Sequence, residues 1–185
     1  MSITQEVHDY VKKACEDEKN KYGMAPYHHH FLSVVNYAKR LAKEREADEE
    51  IVEIAAWLHD IGSIEDDIGE HHLTGPLIAQ RLLKDKGYPQ ERIDAVKHCI
   101  RAHRGSQDIP RETIEAECVA DADAMSHFDN ITSLFRLAMV TKEMDEEEAR
   151  AFIVAKLQRS YKKLTPAAKE VIKPRYEAAM LLFDQ

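Results

Sequence analysis

Apolar side chains recur every three or four positions along most of this sequence, which is the spacing of amphipathic helices. One such stripe covers residues 3–20, and a second starts at Tyr27 and extends through residue 42. Residues 51–58 are apolar on two sides and predict a helix in the interior. No segment alternates with a period of two for long enough to predict a sheet. The pattern therefore predicts an all-α bundle of about eight or nine helices.

Residues that favour helix ends divide the later stripes into separate helices. Asp48, Thr74 and Thr113 each precede an apolar run and are predicted N-caps, because their side-chain oxygens can accept a backbone N–H. Asp145 and Glu148 have the spacing of a capping box at the start of a long helix. These residues give the predicted helices defined starting points.

The length and composition fit one globular domain. The chain has 185 residues, of which 44% are hydrophobic and 32% are charged. A single hydrophobic core can grow to roughly 250 residues before a chain divides. We therefore expect residues 1–185 to form one helix-rich domain.

Charge and cysteine content exclude several classes of protein. The net charge of −8 disfavours extended nucleic-acid binding, which needs a contiguous basic surface. Cys15, Cys99 and Cys118 are odd in number and contain no CxxC pair, which is typical of reduced thiols. No apolar stretch approaches the ~20 residues that span a bilayer. We expect a cytoplasmic protein without a membrane segment.

The stretch from residue 55 to Gly62 is an apolar run that leads into the adjacent pair His59-Asp60. Burying such a pair costs several kcal/mol unless it is compensated, and a divalent cation can pair with both side chains. Gly62 is expected to end the helix in the left-handed conformation. Taken alone, the pair fits a solvated or capping role better than a ligand role.

Three features together resemble the HD superfamily of metal-dependent phosphohydrolases. They are His30 four residues before Val34, the Leu-His-Asp-Ile-Gly sequence around His59-Asp60, and an Ala-Asp-Ala later in the chain. The resemblance covers about residues 27–128. It implies that this segment is the metal-site core.

The resemblance implies four metal ligands, which are His30, His59, Asp60 and Asp123. Asp121 is the alternative to Asp123, because two aspartates at a spacing of two cannot face the same way on a helix. Two imidazoles and two carboxylates suit a divalent transition metal such as Mn, Fe, Co, Ni or Zn, and leave positions open for water and a phosphate oxygen. One ion is favoured, and two ions are the alternative.

Further histidines in this superfamily bind phosphate or a second metal. By the same resemblance His71 and His103 are candidates for that role, with His72 as the alternative to His71. Arg104 could bind a substrate phosphate through its planar fork of donors, or could lie on a solvated helix face. Helices within residues 130–185 are expected to complete the core or to form a homodimer surface.

The resemblance implies a metal-dependent phosphohydrolase that acts on a small phosphorylated metabolite, with a nucleotide as the preferred class. Asp60 is the predicted catalytic residue, with Asp123 as an alternative acceptor for the proton of the attacking water. Two other functions stay open. One is a di-iron oxygenase of the same superfamily, in which extra histidines hold a second iron, and the other is a non-catalytic nucleotide-binding module.

Overall fold

The chain is all-α. A computed structural model describes residues 1–65, 71–104 and 109–183, without the side chains of residues 71 and 72, and these ranges contain helices and no strands. None of these helices combines the length and apolar character needed to cross a membrane. The fold class predicted from the hydrophobic spacing is confirmed.

Two of the described helices include a π-helical segment. Tyr27–Phe31 precedes α2 directly, and Leu137–Thr141 follows α8. The α-helices are α1 (Ile3–Glu16), α2 (Leu32–Glu44), α3 (Glu49–Leu58), α4 (Ile61–Glu65), α5 (His71–Asp85), α6 (Gln90–Ala102), α7 (Ile114–Asp129), α8 (Ile131–Arg136), α9 (Glu146–Lys163) and α10 (Pro166–Phe183).

Three of the predicted helix starts are confirmed. The Asp48 side chain accepts a hydrogen bond from the backbone N–H of Ile51 at 3.0 Å and caps α3. Thr113 caps α7 in the same way. Asp145 and Glu148 form both halves of a capping box at the start of α9.

The prediction that Thr74 caps a helix is wrong. α5 begins at His71, so Thr74 lies inside the helix, and its buried hydroxyl has no hydrogen-bond partner in the described part of the chain. Pro76 also lies inside α5. The Thr-x-Pro pattern indicates a helix start because proline has no N–H to donate, but a proline can also be accommodated farther along a helix.

Gly62 does not end a helix in the left-handed conformation, contrary to the prediction. It lies inside α4, and the described glycines with positive φ are Gly23 at 57° and Gly87 at 71°. A Cβ built on Gly75 would lie 3.7 Å from the Gly62 N atom and 3.8 Å from the His59 carbonyl oxygen. The missing side chain at Gly75 therefore lets α5 approach the backbone beside His59 closely.

α7 lies at the centre of the packing. Every residue from Cys118 to Phe128 is buried, and α2, α3, α6, α9 and α10 all contact this helix. Alanine at positions 120, 122 and 124 lets neighbouring helices approach from several sides. A helix that is covered all round belongs in the interior, so any charged side chain on α7 needs a partner there.

Gly75→Val is expected to lower the free energy of unfolding by about 1–3 kcal/mol, because overpacking a tight helix contact displaces its neighbours. A Cβ at this position would already lie 3.3 Å from Ile100 Cγ2. Leu77→Val is the matched control, since Leu77 is on the same helix and is 60% exposed. Urea denaturation measures both variants, and equal losses would contradict the close helix contact.

Candidate metal centre

Residues from separate parts of the chain meet beside α7. His30 lies in the π-helical turn before α2, and His59-Asp60 lie at the junction between α3 and α4. Asp123 lies in the middle of α7, and His103 directly follows α6. π-helical turns are frequent at functional sites. Five side chains from four separate parts of the sequence thus form one cluster.

The distances within the cluster are short. His30 Nε2 lies 2.9 Å from His59 Nε2 and 3.5 Å from both Asp60 Oδ2 and Asp123 Oδ1. His103 Nε2 lies 3.4 Å from Asp60 Oδ1. The donor atoms of His30, His59 and Asp60 all lie within 4.8 Å of one another. A single ion could therefore contact all three.

Main-chain carbonyls determine which ring nitrogen carries the proton in two of the histidines. His59 Nδ1 lies 2.8 Å from the Ala56 carbonyl oxygen, and His103 Nδ1 lies 2.6 Å from that of Ile100. A carbonyl oxygen can only accept, so both Nδ1 atoms donate. In its neutral form, each ring would present an Nε2 lone pair to the cluster, as a metal-binding histidine does.

Ser126 determines the orientation of His30. Its hydroxyl donates its one proton to the Asp123 carbonyl oxygen at 2.7 Å, so at 3.1 Å it accepts from His30 Nδ1. A neutral His30 therefore also presents an Nε2 lone pair, 2.9 Å from that of His59. Two such lone pairs repel each other unless a cation or a proton lies between them. The donor set consequently fits a divalent metal ion.

The protonation states of the cluster also favour metal binding. Burial raises the pKa of Asp60, but His59, His103 and His30 outweigh it and hold that pKa well below its usual range. Burial also raises the pKa of Asp123, but Lys163 and the nearby histidines lower it by more. The pKa of Asp123 is therefore also well below its usual range. Burial lowers the pKa of His59 to about 4, so its ring is neutral at pH 7. Ionised carboxylates and neutral imidazoles are the forms that bind metals.

Asp121 and Asp123 point in different directions from α7. Asp121 accepts hydrogen bonds from Arg45 Nη2 at 2.7 Å and from Thr165 Oγ1 at 2.6 Å, away from the cluster. Asp123 directs Oδ1 towards His30. Of the two aspartates that the sequence left as alternatives, Asp123 is the one beside the histidines.

The sequence analysis did not identify His127. This residue lies one helical turn after Asp123, and its Nε2 atom is 3.7 Å from Asp123 Oδ1. Its Nδ1 atom lies 2.9 Å from Ser160 Oγ. His30, Asp123 and His127 form a second group that could hold a metal. The spacing of four between Asp123 and His127 is the sequence signal for this residue, because such side chains share a helix face.

Lys163 is a second residue that the sequence analysis did not identify. It is the last residue of α9, and its Nζ atom donates to Asp123 Oδ2 at 2.6 Å and to the His103 carbonyl oxygen at 3.1 Å. It therefore holds one carboxylate oxygen of Asp123 while the other faces the histidines. No local motif marks it, since Lys162 and Lys163 have the composition of an ordinary charged helix end.

The described side chains do not test two of the predicted phosphate-binding positions, His71 and Arg104. The side chain of His71, like that of its alternative His72, lies outside the described residues. Arg104 is half-buried next to His103, but it does not line the cavity that opens beside the cluster. The roles assigned to His71 and Arg104 stay predictions.

A helical fold that gathers histidines and aspartates around a shared centre defines a candidate metal-dependent hydrolase. The family model described as the HD domain matches residues 27–127, which is more than half of the chain. The chain therefore belongs to the HD-domain family of metal-dependent phosphohydrolases. HD domains bind divalent metals, and the clustered His and Asp side chains could hold one.

Curated relatives match about half of the chain. Ribonuclease Y of Desulforudis audaxviator (strain MP104C) is 36% identical over 99 residues, which are 52% of this chain and 17% of that protein. Ribonuclease Y of Chloroflexus aurantiacus is 37% identical over 99 residues, or 52% of this chain and 18% of that protein. The matched segment thus spans less than a fifth of these relatives' length.

Solved structures match nearly the whole chain. Bacillus subtilis YpgQ in complex with ADP has a TM-score of 0.70 and 23% identity, covering 97% of this chain and 93% of that one. A Lactobacillus plantarum protein has a TM-score of 0.77 and 18% identity, covering 100% of this chain and 96% of that one. These similarities establish the fold.

Replacing the two aspartates of α7 separately should distinguish packing from metal binding. Asp121→Asn weakens the pairing of the largely buried Arg45, and we expect it to lower the free energy of unfolding by about 3 kcal/mol without changing metal affinity. Asp123→Asn removes a carboxylate from the cluster, and we expect it to weaken Mn²⁺ binding by more than about tenfold.

Urea denaturation with a chelator present measures the stability of both variants, and calorimetric titration with Mn²⁺ measures their affinity. An Asp121→Asn variant that loses as much Mn²⁺ affinity as Asp123→Asn would contradict this division of roles.

Proposed function

We propose that this protein is a metal-dependent phosphohydrolase of a small phosphorylated metabolite, with a nucleotide as the preferred class. His30, His59, Asp60 and Asp123 hold one divalent transition-metal ion. The observation that supports this most is the approach of two Nε2 lone pairs, from His30 and His59, to 2.9 Å in the presence of two carboxylates. A proton between the two nitrogens would relieve their repulsion, whereas a divalent ion would relieve it and also neutralise the two carboxylates.

The chemistry divides between the ion and the surrounding side chains. A bound divalent ion supplies Lewis acidity to a phosphoryl oxygen and lowers the pKa of water. Asp60 accepts the proton of the attacking water, because it lines the cavity whereas Asp123 does not. Lys163 and Ser126 keep Asp123 and His30 in their orientations. His103, and from the sequence His71 and Arg104, hold the phosphate or a second ion.

The nucleotide class is supported by two similarities. YpgQ, which shares this fold, was crystallised in complex with ADP. The ribonuclease Y relatives have a name that implies a nucleic-acid substrate. A small phosphorylated molecule fits the cavity of about 250 Å³ beside the cluster better than an extended polymer does.

Phosphate release from a panel of nucleoside mono-, di- and triphosphates, with added Mn²⁺, Co²⁺ or Ni²⁺, tests this function. We expect turnover that EDTA abolishes and that Asp60→Ala lowers at least about 100-fold, because the variant loses both a ligand and the proton acceptor. Asp94→Ala is the matched control, since Asp94 lies on the exposed side of α6. Activity of Asp60→Ala equal to that of the control would exclude this mechanism.

A di-iron oxygenase is a second candidate, because His103 and His127 add imidazoles beyond the four proposed ligands. Metal analysis with oxygen-uptake measurements distinguishes the two functions. Two irons per chain with oxygen consumption would favour the oxygenase. One metal per chain without oxygen consumption would exclude it.

A further inference from the structure

The cavity beside the metal centre has a second wall that the HD-domain match does not include. One wall carries His30, Asp60 and His127. The other is formed after residue 127, by α8, by the π-helical segment that follows it and by α9. Two cationic side chains, Arg136 and Lys156, lie in this second wall.

α9 directs a stripe of three polar residues towards the metal centre. Lys156, Ser160 and Lys163 follow one another at spacings of four and three, which places them on one face of the helix. Ser160 contacts His127 at 2.9 Å, and Lys163 contacts Asp123 at 2.6 Å. Two members of this stripe therefore have partners in the metal centre, and the third faces the cavity.

Lys156 and Arg136 have no direct counter-charge in the described part of the chain. Neither side chain forms a hydrogen bond there or lies within 4.0 Å of a carboxylate. Lys156 is half-buried. Removing an ammonium group from water costs free energy when no anion compensates for the lost hydration. Burial lowers the pKa of Lys156 although Asp123 and Asp60 oppose the effect, as expected of a cation with no contacting anion.

We propose that Lys156 and Arg136 form a phosphoryl-binding subsite next to the metal centre. This proposal rests on the proposed function and assigns the residues that position the substrate. The subsite takes a phosphoryl group because an ammonium and a guanidinium on one wall both donate to its oxygens. The metal ligands lie on the opposite wall of the cavity, so the subsite would hold the phosphoryl group between the two walls.

The experiment uses the Mn²⁺-loaded protein and inorganic phosphate as the probe. Calorimetric titration with phosphate is carried out on the wild type, Lys156→Gln, Arg136→Gln and the double variant. We expect each single substitution to weaken phosphate binding about tenfold, since each removes a charge-assisted hydrogen bond. Lys156→Arg should restore most of the affinity. Lys162→Gln is the matched control, because Lys162 is exposed on the same helix.

Steady-state kinetics on the nucleotide that is turned over fastest gives a second readout. We expect KM to rise in Lys156→Gln and Arg136→Gln by about the same factor as the phosphate dissociation constant, with kcat changed much less. Mn²⁺ content should match that of the wild type, which separates loss of the subsite from loss of the metal.

The possible outcomes separate this inference from the proposed function. In one outcome, the wild-type protein turns over a nucleotide, and Lys156→Gln and Arg136→Gln bind phosphate as tightly as Lys162→Gln does. That outcome would overturn the subsite and leave the hydrolase intact. Absence of turnover, with phosphate binding that still depends on Lys156, would support the subsite and contradict the hydrolase. Wild-type protein that binds no phosphate would overturn the subsite.

Discussion

The structure depends on one unfavourable contact, the approach of His30 Nε2 to His59 Nε2 at 2.9 Å. The opposite nitrogens of these rings are occupied by Ser126 and by the Ala56 carbonyl oxygen, so neither ring can relieve the repulsion by changing its tautomer. Two ionised aspartates surround the contact. A protein that buries this set has to neutralise it, and a divalent ion does so with the fewest additional groups.

The helices around this contact hold its members in place from all sides. α7 supplies Asp123 from a fully buried segment, and Gly75 lets α5 pack closely against the backbone next to His59. The helices after the matched HD segment also take part, because α9 contributes Ser160 and Lys163 to the same centre. Rigid support of this kind is what keeps several ligands at the positions that one ion requires.

Much of the fold could be predicted from the sequence because local rules govern it. Asp48 and the Asp145 capping box begin helices through contacts within one turn, and these were visible in the sequence. Gly62 was misassigned because its role depends on α5, a separate helix that packs against it. The sequence cannot distinguish a glycine that ends a helix from one at a helix crossing without knowing which helices meet.

The site was predictable only in part, for the same reason. His59-Asp60 are adjacent and motif-like, whereas Lys163 reaches Asp123 from 40 positions away and looks like any charged helix end. The choice between Asp121 and Asp123 needed the position of Arg45, which takes Asp121 away from the cluster. Long-range partners, rather than local propensity, decided each of these cases.

The central claim is that a divalent ion lies between these histidines and aspartates. Anomalous diffraction from crystals grown with Mn²⁺ tests it most directly. The account predicts a single strong peak bounded by the Nε2 atoms of His30 and His59 and by the carboxylates of Asp60 and Asp123. Ordered Mn²⁺ found only elsewhere, with the His30 and His59 rings still in contact, would contradict it.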